Sequence, residues 1–222
     1  MLESTTILLS LCIPIAPAPD LGAYFGFDDL EIVKIGDDAG PMYTGDVTGD
    51  GLIDILVINN RKSRIDLLVQ KAGASPDDEV SVTRVNEIPE HWRFENKRIM
   101  VAHNVSALAL HDFNADGRTD IVYAGNPSTL VFLEQLANGT FKKTRSHRIR
   151  DLGANRTAFS ITNLLGDEAP ELVTIVKGAI QSFPLENDAI GSPTIFATDD
   201  RVMAFELADY DGNGLEDIAG II

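Results

Sequence analysis

Short apolar runs follow one another along the chain, some alternating with polar residues and some wholly apolar, and turns rich in Asp, Asn and Gly separate them. This pattern predicts strands at Met42–Thr44, Ile53–Asn59, Arg64–Gln70 and Val80–Val85. A second set falls at Ala107–Leu110, Ile121–Ala124, Thr129–Glu134 and Thr140–Thr144, with Asn138-Gly139 as a hairpin turn. A third set falls at Ala158–Thr162, Leu172–Val176 and Ile180–Phe183, and a fourth begins at Met203–Leu207. No stretch has the spacing of a convincing amphipathic helix. Each set is a unit of about four short antiparallel strands, too small to bury its own faces, so the units must stack. About four strands in roughly 40–60 residues is the size of a β-propeller blade. The expected fold class is therefore all-β, a β-propeller of four-stranded antiparallel blades.

Between the first and second strand of each unit lies a related polar loop. The loops start at Asp46, Asp112, Asn163 and Asp209, spaced 66, 51 and 46 residues apart. Their shared pattern is Asp-x-[Asp/Asn]-x-[Asp/Asn]-Gly-x-x-Asp, running into a β-branched stretch. The spacing suits a hard cation. Ca²⁺ takes six to eight oxygens, and acids at alternating positions 1, 3 and 5 turn their oxygens to one centre. Gly at position 6 permits the sharp turn, position 7 offers a backbone carbonyl, and the carboxylate at position 9 closes the cage. The expected ligands are Asp46, Thr48, Asp50, the Leu52 carbonyl and Asp54 in the first loop. They are Asp112, Asn114, Asp116, the Arg118 carbonyl and Asp120 in the second, and Asp209, Asp211, Asn213, the Leu215 carbonyl and Asp217 in the fourth. Thr48 puts a hydroxyl where a carboxylate or amide is expected, so the first loop should bind more weakly. The third loop has Leu165 at position 3 and Glu168 in place of Gly, and is expected to keep the turn and lose the ion. The expectation is thus two to three Ca²⁺ sites. An EF-hand is excluded, because it needs an acid at position 12 and leads into a helix. Position 12 here is Val57, Tyr123 or Gly220, and strand-like residues follow. The same Asp, Asn and Gly residues are also good turn formers without any metal.

Composition narrows the function classes. With 34 acidic and 18 basic residues the formal net charge is −16, which argues against nucleic acid and anionic membrane surfaces as partners. One cysteine, Cys12, excludes a disulfide framework and Cys-rich zinc sites. No apolar run has the ~18–20 residues of a membrane-spanning helix. Residues Thr5 to Ala16 form a short apolar stretch followed by Ala16-Pro17-Ala18, which resembles a signal-peptidase site, although no Lys or Arg precedes it. The domain expectation is a leader at residues 1–19 and a repeat domain at 20–222, with a secreted, periplasmic or cell-surface location.

The four loops, the Asp-Ile-Leu-Val and Asp-Ile-Val-Tyr strand starts, and Asn138-Gly139-Thr140-Phe141 resemble the FG-GAP/VCBS repeat proteins, whose blades also occur in the integrin α-subunit head. The resemblance covers about residues 28–222. It implies a calcium-stabilised propeller outside the cytosol, usually of seven blades. Two departures are the third loop and an enlarged first repeat at residues 86–103. The motif count gives about three and a half blades, the expectation for a fragment or half of a seven-bladed propeller, with Leu30–Ile35 as a candidate outer strand and the remaining blades elsewhere.

Chemistry beyond the loops is sparse. His91, His103, His111 and His147 show no metal-ligand spacing, and no GxSxG, P-loop or HExxH motif is present. The basic run Lys142, Lys143, Arg145, His147, Arg148 and Arg150 reads as a solvated outer strand, or as a contact for an acidic partner. The leading expectation is a non-catalytic binding or adhesion module for a protein or glycan at a cell surface or in a matrix. The alternative is the scaffold of a carbohydrate-active, lyase-like enzyme whose site lies on the opposite face or in other blades.

Overall fold

The computed structural model describes residues 30–78, 85, 88–164, 166, 169–186, 189–196 and 201–222. One compact unit runs from Val33 to Ile222; of the other, Met1–Ile32, only Leu30, Glu31 and Ile32 are described, and they carry no strand. The expected leader at 1–19 lies outside the described residues.

Fifteen strands make up the described residues, with two single 3₁₀ turns and no α-helix. The first sheet has β1 (Met42–Gly45), β2 (Asp54–Asn59), β3 (Arg64–Gln70) and β4 (Phe94–Met100), antiparallel and in that order. The second has β5 (Asn104–His111), β6 (Asp120–Asn126), β7 (Thr129–Gln135) and β8 (Phe141–Arg148), again in order. The third has β9 (Phe159–Thr162), β10 (Glu171–Val176) and β11 (Ala179–Glu186), with two short pieces, β12 (Ala189–Ile190) and β13 (Thr194–Phe196), both on β11. A fourth pair is β14 (Ala204–Ala208) with β15 (Asp217–Ile221).

Three apolar clusters join consecutive sheets face to face. Leu56, Ile58, Ile65 and Leu67 of the first sheet meet Leu108, Ile121, Tyr123 and Val131 of the second. The opposite face of the second sheet sends Val122, Ala124, Leu130 and Phe132 against Phe159, Leu172, Val176 and Phe183 of the third. Val173, Ile175 and Ile180 then meet Val202, Phe205, Leu207 and Ile218. A sheet packed on both faces needs apolar residues at consecutive positions. That is why Ile121-Val122-Tyr123-Ala124 is an unbroken buried run and does not alternate. Four-stranded antiparallel sheets stacked in chain order are the arrangement of a partial β-propeller.

Two strand expectations need correction. The fourth strand of the first sheet is β4, Phe94–Met100, not Val80–Val85; residues 80–84 lie outside the described residues, and Val85 sits in a turn, 91% exposed. An outermost strand packs on one side only, so Phe-Glu-Asn-Lys-Arg-Ile-Met keeps just Ile99 fully in the core. Its apolar signal is therefore weaker than that of Val80-Ser81-Val82. This places β4 within the stretch read as an enlargement of the repeat. Leu30–Ile35, read as an outer strand, carries no strand. The basic run lies on β8, the outer strand of its sheet, where Lys142, Lys143, Arg145 and Arg148 are exposed.

Gly125 of β6 lies beside a bulge in β5 between Val105 and Ala107. A Cβ there would run into the Asn104 carbonyl oxygen, which is backbone and has no rotamer to escape with. Gly125→Ala is expected to cost about 1–3 kcal/mol. A urea melt of the variant measures this, and an unchanged midpoint would show that the two strands are not so closely opposed.

Candidate metal centre

Each loop joins the end of an inner strand to the start of the next, β1 to β2, β5 to β6 and β14 to β15. Its tight course rests on two left-handed residues. Position 6 is Gly51, Gly117 or Gly214, with φ of 82°, 82° and 87°. Position 4 is left-handed as well, at Gly49 (75°), Ala115 (55°) and Gly212 (77°). The sequence reading assigned a role only to position 6, although Gly49 and Gly212 carried the signal for position 4.

The position 1 aspartate folds the loop around itself. Asp46 accepts from the amides of Gly49 (2.7 Å), Asp50 (3.2 Å) and Gly51 (2.9 Å). Asp112 accepts from Asp116 (3.1 Å) and Gly117 (2.7 Å). Asp209 accepts from Gly212 (2.7 Å), Asn213 (3.0 Å) and Gly214 (2.9 Å). The Gly214 amide first, and then those of Gly212 and Asn213, hold the Asp209 carboxyl below its ordinary value against a smaller desolvation effect. Positions 3 and 5 cap shorter turns. Asn114 and Asp211 accept from the residue two further on, as do Asp50, Asp116 and Asn213. Thr48 stands at position 3 of the first loop, where its amide donates to Asp54 at 3.2 Å. Leu52, Arg118 and Leu215 follow at position 7, each donating its amide to position 5.

Position 9 does something the sequence reading missed. Asp54 is fully buried at the start of β2, and its Oδ2 accepts from the Val47 (3.0 Å) and Thr48 (3.2 Å) amides. Its Oδ1 accepts from the amide of Gln70, the last residue of β3, at 2.8 Å. Asp120, also fully buried, repeats this with Phe113 (3.2 Å) and Gln135 at the end of β7 (2.7 Å). Glu171 takes the Leu164 amide at 2.7 Å, and Asp217 the Tyr210 amide at 3.0 Å. Asp54 and Asp120 therefore staple their loops to the strand beyond, while Glu171 and Asp217 hold their own loops. Burial pushes the Asp120 carboxyl up to about 6, opposed by the Gln135 and Phe113 amides and reinforced by Asp116 and Asp112. Neighbouring units are tied at the same level, with Gln135 Nε2 donating to the Val47 carbonyl (2.9 Å) and Thr119 Oγ1 to the Asp46 carbonyl (3.0 Å).

The loops differ in how far their carboxylates converge. Asp209, Asp211 and Asp217 each place an oxygen within 4.8 Å of the others, and among the described residues no other three His, Cys or carboxylate side chains do so. In the second loop the Arg118 guanidinium pairs with Asp116 and also donates from Nε to the Gln135 carbonyl (2.8 Å), so a cation of the protein draws Asp116 aside. In the first loop Asp54 is fully buried on its staple, and Asp46, Asp50 and Asp54 do not come within 4.8 Å of one another as the fourth-loop trio does. Leu165, Asp167 and Glu168 of the third loop lie outside the described residues, so the expectation that it lacks an ion falls there.

Residues 112–174 match a family model described as an FG-GAP-like repeat. No curated protein matches the chain. The matched stretch opens on the first residue of the second loop, continues through β6, β7, β8 and β9, and ends within β10. It thus covers one polar loop with its strands and the start of the next unit. Residues 112–174 thus carry an FG-GAP-like repeat, set within stacked four-stranded antiparallel sheets.

Proposed function

We propose that this protein is a calcium-stabilised, extracytoplasmic repeat module that acts by binding a protein or glycan and not by catalysis. The observation that carries the calcium reading is the convergence of Asp209, Asp211 and Asp217 to within 4.8 Å. Three carboxylates so close repel one another, and a divalent cation turns that repulsion into attraction. The Asn213 side-chain oxygen and the Leu215 carbonyl supply further hard ligands of the type Ca²⁺ takes. The same scaffold recurs at Asp46, Thr48, Asp50, Leu52 and Asp54, and at Asp112, Asn114, Asp116, Arg118 and Asp120. In the second loop the ion competes with Arg118 for Asp116. In the first, Thr48 offers a hydroxyl at position 3 and the carboxylates do not converge as the fourth-loop trio does, so the first and second loops should bind more weakly than the fourth. Millimolar affinity suffices outside the cytosol, where modules of this kind meet abundant calcium. The acidic balance of 34 to 18 and the leader-like Thr5–Ala18 segment favour the same location. No helix among the described residues is long and apolar enough to cross a membrane, which says nothing of a β-barrel.

Calorimetric titration with Ca²⁺ tests the reading. Two or three sites per chain are expected, with the tightest removed by Asp211→Ala. A folded sample that gives no binding heat at any of several temperatures would refute it.

A further inference from the structure

The first sheet departs from its siblings on the face turned away from the second sheet. Counting from the position 9 acids Asp54, Asp120 and Glu171, the cross-strand pair three residues on is Val57–Asp66, Tyr123–Val131 and Thr174–Gln181. The pair five residues on is Asn59–Arg64, Gly125–Thr129 and Val176–Ala179. Uncharged positions elsewhere thus become Asp66, Arg64 and Asn59 in the first sheet. Asp66 is only 6% exposed and Asn59 fully buried. Arg64 Nε lies 2.6 Å from Asp66 Oδ1, and Asn59 Nδ2 donates to Asp66 Oδ2 at 3.2 Å. Gly36 lies directly on this group, since a Cβ there would collide with Asn59 Nδ2. A buried charged network is costly to form and adds little stability of its own. Asp66 and Arg64 place charges where the other two sheets have only uncharged residues, and a charged network of that cost held in one unit alone points to a site.

Above the network is a cleft of about 300 Å³, at the small end of ligand-binding pockets. Lys34, Lys62, Arg64 and Arg98 line it together with Asp37, Asp66 and Glu90. Arg64 is paired with Asp66, and Lys34 with Glu90 at 3.7 Å. Among the described residues, Lys62 and Arg98 have no ion-pair partner, so two cations face the cleft uncompensated except by Asp37 nearby. The balance favours one negative charge on the ligand. A dianionic phosphate would meet three carboxylates in the lining, whereas a sugar carboxylate brings one charge and several hydroxyls for Asp37 and Asn96 to bond.

We propose that this cleft binds a carboxylate-bearing sugar, a uronic acid unit, with Arg98 and Lys62 holding the carboxylate. The assignment names a ligand class for the binding role proposed above and rests on that role. Titration of the whole chain with glucuronate, glucose and inorganic phosphate, followed by ligand-observed NMR, tests it. Saturable binding of glucuronate is expected, with none of glucose. Arg98→Ala and Lys62→Ala change exposed side chains and should each weaken binding about tenfold, the loss of one charge-assisted hydrogen bond. Absence of saturable glucuronate binding, preference for phosphate, or indifference to both substitutions would each overturn it. Calcium melts on the same samples keep the two readings apart. A calcium response without glucuronate binding refutes the cleft alone. Glucuronate binding without a calcium response supports the cleft and refutes the calcium reading.

Discussion

Asp54→Ala should be the most damaging single substitution in the loops, costing on the order of 4 kcal/mol even with calcium chelated. Three backbone amides, those of Val47, Thr48 and Gln70, end on its two oxygens, in a position with no exposure. Alanine removes the acceptor and lets in no water, and each stranded donor costs about 1–3 kcal/mol. For a domain of this size each kcal/mol lowers the melting temperature by roughly 2–4 °C, so a fall of roughly 8–16 °C is expected in EDTA. Asp54→Asn should recover little, because its amide group turns an N–H toward donors. Asp120→Ala should cost less. It has two amide partners to the three of Asp54, and its carboxyl is pushed up to about 6 by burial, so the ionised form is held there at some expense. Asp211→Ala, an exposed change at the loop tip, should lie within about 0.5 kcal/mol of the parent in EDTA. Thermal melts in EDTA make the comparison; an Asp54→Ala melt within a degree or two of the parent would show that position 9 is no staple.

Residues with two independent constraints on them were readable from the sequence. The runs Ile53–Asn59 and Ile121–Ala124 combine β-branched content with a preceding Asp-Gly turn, so β2 and β6 fell where expected, as did β3, β7 and β10 to within a residue or two. The loops were readable because few local structures need Asp, Gly and Asp at fixed offsets. Outer strands were harder. β4 is polar because one side faces solvent, and the fourth strand of the third sheet is split into β12 and β13, too short to show a period. The role of position 9 was half visible. Its carboxylate stood out, but its partners Gln70 and Gln135 lie 16 and 15 residues away and donate backbone amides, which no side-chain pattern reveals. The Asp66 network was invisible for a different reason. Only the aligned registers of the three sheets show that Asp66 stands where Val131 and Gln181 do.

Calcium should raise the melting temperature substantially, because the loops bring acids together that the apo fold must hold apart. The four loops contain 13 of the 34 acids, and each filled site removes part of that repulsion. A ligand at about a hundred times its dissociation constant stabilises by about 2.7 kcal/mol per site. Two filled sites in a domain of this size therefore correspond to a rise of roughly 10–20 °C. The fourth loop should contribute most, since Asp209, Asp211 and Asp217 already converge, while the second must first release Asp116 from Arg118. Asp211→Ala should remove the fourth loop's share of the rise. The direct measurement is the melting temperature of the whole chain in millimolar Ca²⁺ and in EDTA, for the parent and for Asp211→Ala. A large rise in the parent, reduced in the variant, is the expected result; identical melts of a folded parent in the two buffers would mean that the loops are turns held by their own hydrogen bonds and that calcium plays no part in the fold.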